Sequence, residues 1–452
     1  MKRLDQPNHL LFNNRDLRLL IIPLVIEQFL GMTVGLADSL MVSQVGEAAV
    51  SAVSLVDTVN VLLQNAFAAL AAGGAVVAGQ YLGRREPDKA NRSAQQLLLF
   101  MGEVSLVITV LMYLAKGFVL GVVFGQIEPA VAVDCATYYN IVEASTPFLA
   151  IYSAGAALFR VMGNSAISMN VSLIMNAINV GGNALLIFGF HRGVEGVAIP
   201  TLVSRVVAAV LMVALLCNPK LTLHLKGRFS FRHERSVIRN ILYFGVPNGI
   251  ENSMFQLGKI LLLAVVSALG TAAVAANAIG NTLCSFQCLP GMAVGLALVT
   301  VVSRCVGAGD YEMARYYTRK LVKYTYLFML LSTAAVLALL PLILQVYAVS
   351  AEATRLASQI IWLHGIMGVV FWPAAFTFPQ ALRAAGDTRY TMLASSLSMW
   401  TFRVVLGVLM TKYFGFGLLG IWLAMFVDWF ARILCFYLRY RGHRWEIARL
   451  KD

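Results

Sequence analysis

The chain contains an internal repeat at a fixed offset of 224 residues. The segment from Pro23 to Ala90 aligns with the segment from Pro247 to Ala314 without a gap. Many of the identities are prolines, glycines and glutamates, which a purely apolar helix does not require. They include Pro23 and Pro247, Glu27 and Glu251, Gly46 and Gly270, and Gly83 and Gly307. Further matches near the same offset are Arg160 and Arg383, Gly163 and Gly386, and Gly196 and Gly420. The chain therefore consists of two homologous halves.

The composition indicates a protein that crosses a membrane many times. Of its 452 residues, 59% are hydrophobic and 13% are charged, and the mean hydropathy is +0.75. Values this apolar are unusual for a soluble chain. Twelve apolar stretches can be marked in the sequence. Most of them reach the roughly 20 residues that a helix needs to cross the hydrocarbon core. We expect no cleavable signal, because the first apolar run is a full span.

The two halves predict the domain organisation. We expect an all-α membrane protein with twelve transmembrane helices in two homologous six-helix bundles around a central cavity. Residues 1–217 form the N-terminal six-helix lobe, residues 218–236 a cytoplasmic linker, and residues 237–452 the C-terminal six-helix lobe with a basic cytoplasmic tail. Both lobes have the same orientation, because each has an even number of spans. The expected assembly is a monomer in the lipid bilayer.

The net charge of +13 follows membrane topology and does not indicate a nucleic-acid partner. Most of the 35 lysines and arginines fall in segments that share one side of the membrane if the N-terminus is cytoplasmic. The opposite loops contain Lys116, Arg192, Arg355 and Lys412. This asymmetry predicts cytoplasmic termini in a multi-pass protein of the cell membrane, that is, the inner or plasma membrane.

The sequence shows no sign of an enzyme, a metal site or an ATP-driven pump. The six cysteines lie within or beside apolar helices and predict neither a disulfide framework nor a zinc site. Of the six histidines, His364 alone falls well inside an apolar helix. The chain contains no GxxxxGK(S/T) loop for ATP. We therefore expect a protein that is not an enzyme and needs no cofactor beyond a coupling ion.

Charged residues inside the apolar helices are the natural functional candidates, because each is costly in hydrocarbon without water or a partner. Glu27 and Asp38 are 11 residues apart on the first helix, which places them on one face and about 16 Å apart along the axis. We expect Glu27 and its repeat counterpart Glu251 to line the central cavity near mid-membrane, with Gln28 and Asn176. The alternative is a buried carboxylate that neighbouring hydroxyls and amides satisfy.

The fifth helix carries a further set of polar residues, Asn176, Asn179 and Asn183. The last two are four residues apart and share one face of the helix. Thr201 on the sixth helix can add a hydroxyl group. Amide and hydroxyl oxygens can bind a cation or a carboxyl group. In a membrane helix they can also serve only to hold neighbouring helices together.

Several segments together resemble the multidrug and toxic compound extrusion (MATE) family over essentially the whole chain. They are Ala37 to Val42, Gly79 to Gly83, Arg160 to Asn164, Gly193 to Ala198, and Arg383 to Thr388. No short segment is diagnostic alone, but with the repeat they form a strong match. The resemblance implies a secondary active antiporter that works by alternating access. It would export amphipathic or cationic small molecules, including drugs, in exchange for H⁺ or Na⁺.

The resemblance also implies a site for the coupling cation in the N-terminal lobe. One branch of the family uses an aspartate on helix one, an asparagine and an acidic residue one turn apart on helix five, and a threonine on helix six. These positions correspond here to Asp38, Asn179, Asn183 and Thr201. Asn183 stands where an acidic residue is expected, so the choice between H⁺ and Na⁺ stays open.

An exporter of lipid-linked precursors or of other metabolites, from the same superfamily, is the alternative function. Its polyanionic cargo would favour a cavity rich in arginine and lysine. In the apolar helices of this chain, acidic residues outnumber basic ones. That balance favours drug export.

Overall fold

The computed structural model describes residues 11–125, 127–225, 233–347, 349–446 and 450. Every regular element in these ranges is helical, which confirms the predicted all-α class. A helix satisfies its backbone N–H and C=O groups internally, and this is necessary because hydrocarbon offers them no hydrogen-bond partners. Eleven helices in the described ranges are long and apolar enough to cross a membrane, and a bent pair supplies a twelfth span. The prediction of twelve spans is therefore confirmed.

The spans follow the chain in two sets of six. In the first half they are α1 Asn14–Ser43, α2 Glu47–Gly83, α3 Pro87–Leu114, α4 Pro129–Ala144 with Thr146–Val161, α5 Ser165–Gly189 and α6 Glu195–Leu216. In the second half they are α7 Arg235–Ser267, α8 Thr271–Gly307, α9 Tyr311–Val346, α10 Ala351–Ala384, α11 Thr388–Lys412 and α12 Gly417–Arg441. A short helical segment, Lys116–Phe118, continues as a π-turn over Val119–Val123 between α3 and α4.

Several spans are bent or locally unwound. The two parts of α4 meet at an angle of 43°. Pro147 lies just after the break, and its missing N–H removes one bond of the helical ladder. π-helical turns occur in α5 at Leu185–Gly189, in α10 at Pro373–Thr377 and in α11 at Met399–Val405. Such turns are frequent at functional sites, and those of α5 and α11 adjoin the polar residues described below.

The glycines that match between the two halves adopt the same unusual backbone conformation. Gly46 and Gly270 have φ values of 139° and 99° at the turns before α2 and α8. Gly163 and Gly386 have φ values of 86° and 96° at the turns before α5 and α11. Residues with a Cβ rarely adopt these angles. The turn geometry therefore explains why glycine occupies these positions in both halves.

Within the described ranges the chain forms two compact units. Arg18–Gly249 form one, called here the N-terminal unit, and Ile250–Leu450 with the residues up to Leu17 form the other, the C-terminal unit. The first part of α7 belongs to the N-terminal unit because its backbone packs against α2. A Cβ added at Gly73 would lie 2.6 Å from the Gly245 nitrogen. Phe12 belongs to the C-terminal unit, where its N–H donates to Tyr317 Oη at 2.8 Å.

These packing units do not test the lobe boundaries that the repeat predicts. The division at residues 218–236 follows sequence homology, whereas the units follow side-chain and backbone contacts. Residues 226–232 of the predicted linker lie outside the described residues. The predicted boundaries stay a prediction.

Each unit has its own hydrophobic core. In the N-terminal unit, Ala52, Val56 and Ala198 belong to a buried cluster that joins α2, α4 and α6. In the C-terminal unit, Ile360 and Trp422 belong to a buried cluster that joins α8, α10 and α12. Small side chains let membrane helices approach closely. These two clusters fix the helices that carry the polar residues of each unit.

The contact between Gly73 and Gly245 gives a test of the α2–α7 packing. We expect Gly73→Ala to lower the thermal unfolding temperature of the purified protein, because a methyl group there must push two backbones apart. Overpacking of this kind costs about 1–3 kcal/mol. Gly102→Ala is the matched control, because a Cβ at Gly102 meets nothing within 4 Å. Equal unfolding temperatures for the two variants would contradict the close packing.

Candidate functional site

The four residues of the predicted coupling site lie together in the N-terminal unit. Asn183 Nδ2 donates a hydrogen bond to Asp38 Oδ1 at 2.9 Å. The Asn179 amide lies between Asp38 and Thr201. When its Nδ2 donates to Asp38, at 2.9 Å from Oδ2 and 3.0 Å from Oδ1, its oxygen lies 3.1 Å from Thr201 Oγ1. The structure thus joins α1, α5 and α6 through one carboxylate, two amides and one hydroxyl group. Their role in coupling stays a prediction.

Burial makes this cluster chemically distinctive. Asn183 is fully buried, Asn179 is 8% exposed, and Asp38 and Thr201 are half-buried. Asn183 Oδ1 is buried and has no hydrogen-bond partner among the described residues. A buried amide oxygen without a donor is costly, and it is the kind of ligand that Na⁺ or a protonated carboxyl group requires. The cluster therefore has an acceptor to offer beside its carboxylate.

A second polar network lies beside the cluster in the same unit. Tyr138 donates to Asp57 Oδ1 at 3.3 Å. Arg205 Nη1 donates to Ser145 Oγ at 2.7 Å, at the break between the two parts of α4. The charge of Arg205 also attracts Asp57 and the fully buried Glu143. Asp57 in turn repels Asp38, which places the two carboxylates in one electrostatic environment.

Asp57 is not among the site residues predicted from the sequence. A signal was present, because its repeat counterpart at the same offset is the polar residue Asn281. The hydroxyl group of Tyr138, which comes from another helix, cannot be read from the sequence of α2. The structure adds Asp57 and Tyr138 to the polar set around Asp38.

The two glutamates that the repeat makes equivalent each lie beside an arginine. In the N-terminal unit, Glu27 Oε1 lies 3.9 Å from Arg160 Nη2, and Glu27 Oε2 accepts from Ser168 Oγ at 2.9 Å. In the C-terminal unit, Arg383 Nη2 donates to Glu251 Oε1 at 2.6 Å. Both glutamates are 8% exposed. The arginines are themselves equivalent in the repeat, so the pair is retained in both halves.

The other predicted cavity residues are less constrained. Gln28 and Asn176 are half-buried. Asn176 Nδ2 is buried without a hydrogen-bond partner among the described residues. Neither side chain joins the Asp38 cluster or the Glu27 pair through a contact of hydrogen-bond length that the structure shows. Their assignment to a substrate cavity stays a prediction.

In the C-terminal unit, the remaining intramembrane carboxylate is part of an ion pair. Arg432 Nε donates to Asp428 Oδ1 at 2.8 Å, and Ser398 Oγ donates to the same atom at 2.6 Å. The buried His364 lies 2.6 Å from Gln287 Oε1 through Nδ1 and packs edge-on against Trp422. A histidine satisfied in this way is a structural residue. The part of the chain that the structure describes holds no cluster of three or more metal-binding side chains.

Comparison with known proteins decides the family. A family profile described as MatE matches the chain twice, at residues 23–185 and 247–409. The two matches begin at Pro23 and Pro247 and repeat the internal offset found in the sequence. Together they cover more than half of the chain. The chain belongs to the MatE family.

Relatives of this MatE protein cover nearly its whole length. It is 26% identical to the uncharacterized transporter YisQ of Bacillus subtilis, over 94% of this chain and 93% of the relative. It is 25% identical to the probable multidrug resistance protein NorM of Thermotoga maritima, over 96% of this chain and 93% of the relative. The family membership makes the protein a multi-pass membrane transporter for efflux of small molecules. The family is one of transporters, not of enzymes.

Solved structures share the fold. A crystal structure of MATE in complex with MaD3S has a TM-score of 0.88 at 18% identity, covering 94% of this chain and 95% of that chain. A MOP superfamily transporter from Pyrococcus furiosus, reported with a binding pocket of reverse polarity, has a TM-score of 0.86 at 18% identity and covers 96% of each chain. These matches confirm the twelve-helix fold in two bundles.

The pair of Glu251 and Arg383 gives a test of whether this glutamate is a free carboxylate. We expect Arg383→Gln to destabilise the protein by about 3–5 kcal/mol, because it leaves a buried carboxylate without its partner. The double variant Glu251→Gln and Arg383→Gln should lose less stability than the two single variants predict together. The measurement is a double-mutant cycle from thermal or denaturant unfolding of the purified protein. Additive losses would show that the two side chains act independently.

Proposed function

We propose that this MatE protein is a secondary active antiporter that exports amphipathic small molecules in exchange for H⁺ or Na⁺. The observation that carries the proposal is the Asp38 cluster. It combines one half-buried carboxylate with two amides and a hydroxyl group from two other helices. A carboxylate in such a place can take up a cation, and the helices that hold it can respond to that uptake.

The cluster has two complementary hydrogen-bond arrangements. The amide N–H groups of Asn179 and Asn183 donate to Asp38, which suits the ionised carboxylate. A proton on Asp38, or Na⁺ beside it, instead requires oxygen atoms as partners. Thr201 Oγ1 and the unpartnered Asn183 Oδ1 are oxygens within the cluster. Ion binding would therefore change the hydrogen bonds that link α1, α5 and α6.

Such a change drives transport only if the two access states bind the ion differently. A ligand shifts a conformational equilibrium by the difference between its affinities for the two states. We infer that the affinity of the Asp38 cluster for the ion differs between the outward-open and the inward-open state. The inward movement of bound H⁺ or Na⁺ would then accompany the return of the ion-loaded, cargo-free transporter to the inward-open state.

The class of cargo needs a separate argument. Organic cations are the class that the sequence resemblance predicts, with Glu27 and Glu251 as the negative charges. Each of these carboxylates lies beside an arginine, which reduces the charge it can offer to a cation. We therefore propose amphipathic small molecules as cargo, with cationic drugs as one group to be tested. An exporter of lipid-linked precursors or other metabolites remains the alternative, and the reported reverse polarity of the Pyrococcus furiosus relative is in keeping with it.

We also propose that the protein lies in the cell membrane with both termini in the cytoplasm. The distribution of lysine and arginine supports this orientation. A monomeric transporter stays a prediction from the sequence. Topology and assembly can be tested apart from transport.

The coupling role of Asp38 gives the central test. We expect Asp38→Asn to abolish gradient-driven export while folded protein stays in the membrane, because an amide cannot take up a proton and carries no charge for Na⁺. Export of a fluorescent substrate is measured in proteoliposomes with an imposed pH gradient and, separately, a Na⁺ gradient. Asp134→Asn on α4 is the control with the same charge change. Transport by Asp38→Asn at the wild-type rate would remove Asp38 from coupling.

A native cysteine gives the topology test. Cys217 is exposed directly before the predicted linker, next to the end of α6. We expect an impermeant maleimide to label it only after cells are permeabilised. Lys412→Cys, placed in a predicted outer loop in a Cys217→Ser background, should be labelled in intact cells. Labelling of Cys217 from outside intact cells would invert the proposed orientation.

A further inference from the structure

The C-terminal unit contains a small cavity whose charged lining residues, Lys259 and Arg403, are both cationic. Polar or large side chains that line it are Lys259, Asn277, Asn281, Arg403, Trp422 and Met425. Its volume is about 40 Å³, whereas one water needs roughly 10–15 Å³ on the same measure. The cavity therefore has room for a group of a few heavy atoms. It is too small for an entire drug-sized molecule.

The internal repeat places this cavity where the N-terminal unit has its Asp38 cluster. At the offset of 224 residues, Asp38 corresponds to Leu262 and Thr201 corresponds to Met425, and both counterparts line the cavity. Asp57 corresponds to Asn281, which also lines it. The family profile matches the two halves at this same offset. The two units thus present a polar site at equivalent positions.

The chemistry of the two equivalent sites is opposite. In the C-terminal unit the aspartate position is apolar, and a cation, Lys259, lies three residues before it on the same helix. Arg403 falls at the Asn179 position at the same offset, in the π-turn of α11. None of the described residues that line the cavity is acidic. The site that is anionic in one half is cationic in the other.

The two cations lack counter-ions in the part of the chain that the structure describes. Their charges repel each other. Both lie against the ring of Phe255, Lys259 Nζ at 5.9 Å and Arg403 Cζ at 5.2 Å from its centroid. Asp428 attracts Arg403 electrostatically, but its carboxylate already binds Arg432 at 2.8 Å. Contacts with an aromatic ring compensate only part of the cost of such charges.

Unused hydrogen-bond donors give an independent indication. Arg403 Nε and Trp422 Nε1 are buried and have no hydrogen-bond partner among the described residues. Trp422 is 4% exposed. Arginine and the tryptophan indole can only donate. Donors left without acceptors beside two positive charges suit a group that carries negative charge and several acceptor oxygens.

We propose that this cavity binds the anionic group of a transported small molecule, a carboxylate or a phosphate, between Lys259 and Arg403. The proposal rests on the proposed efflux function and names its cargo class. The cargo is an amphipathic anion or zwitterion, and its apolar part extends beyond the small cavity. Arg403 supplies directed N–H donors to the oxyanion, and Lys259 supplies a point charge.

The test uses purified full-length protein in a nonionic detergent, so that binding is measured without any ion gradient. The probes are a panel of fluorescent aryl carboxylates, each paired with its own methyl ester. We expect the wild type to bind at least one acid about tenfold to a hundredfold more tightly than its ester, the range of one or two charge-assisted hydrogen bonds. Lys259→Gln and Arg403→Gln should each remove most of that preference. Lys259→Arg should retain it.

The matched control is Lys412→Gln, which removes one positive charge at the end of α11, away from the cavity lining. It should retain the wild-type preference. Equal binding of acids and esters by the wild type across the panel would overturn the proposal. So would a preference that survives both Gln substitutions in folded protein.

Two further measurements are needed. The first distinguishes a lipid headgroup from a cargo anion, and the second distinguishes failure of the antiport proposal from failure of the anion-site proposal. If Lys259→Gln lowers the amount of co-purified anionic phospholipid but leaves acid binding unchanged, the cavity is a lipid headgroup site and the cargo proposal is wrong. Gradient-driven export is measured separately with an uncharged substrate. If the wild-type protein prefers acids to esters but shows no gradient-driven export, the antiport proposal is wrong and the anion site stands. If it exports the uncharged substrate but shows no preference for acids, the anion site is wrong and the antiport proposal stands.

Discussion

The cost of a charge in hydrocarbon is the constraint on which this structure depends. Each ionisable side chain in a span requires a partner, water or a ligand. Some of these residues form ion pairs, and there are two kinds of exception. Glu27, Glu251 and Asp428 each lie beside an arginine. Asp38 instead rests on amides, which can change partners at low cost. Lys259 and Arg403 form the second kind of exception, because they have no counter-ion among the described residues.

The repeat explains why both kinds of residue occur on one scaffold. The matching glutamate and arginine pairs, and the glycine turns before α2, α5, α8 and α11, are retained in both halves. These ion pairs and turns hold the helices in corresponding positions in both halves. The positions of Asp38 and Leu262, which correspond in the repeat, differ in residue type between the two halves. Divergence at these positions gives one half a carboxylate site and the other half a cationic cavity without altering the fold.

Much of the fold could be predicted from the sequence. Hydropathy and the spacing of prolines and glycines predicted twelve spans in two homologous halves, because these signals lie within single helices. The proximity of Asp38, Asn179, Asn183 and Thr201 followed from the family resemblance. The partners of Glu27 and Glu251 were not recognised, although Arg160 and Arg383 had been matched in the repeat. Pairing across helices depends on packing angles and on bends such as that of α4, which a single helix does not encode.

The same limit applies to the cationic cavity. Counting acidic and basic residues in the apolar helices favoured a negatively charged site. That count gave equal weight to carboxylates that form an ion pair with an arginine and to charged side chains that form no ion pair. Once Glu27, Glu251 and Asp428 are assigned to ion pairs, Asp38 in one unit and Lys259 with Arg403 in the other are among the charges that form no ion pair within the described residues. The net charge of a span therefore does not predict the unpaired charge at a ligand-binding site.

Opposite polarity in the two units also bears on coupling. An ion at Asp38 and an anionic group at Lys259 need not touch in order to influence each other. Each needs only to bind one access state more tightly than the other, and the coupling free energy is then shared by both ligands. A cation site and an anion site respond to opposite charges, so the ion and the cargo do not compete for one set of side chains. The access states of the transporter would then control the exchange of a coupling ion for an acidic cargo. Competition of ion and cargo for a single carboxylate would not be required.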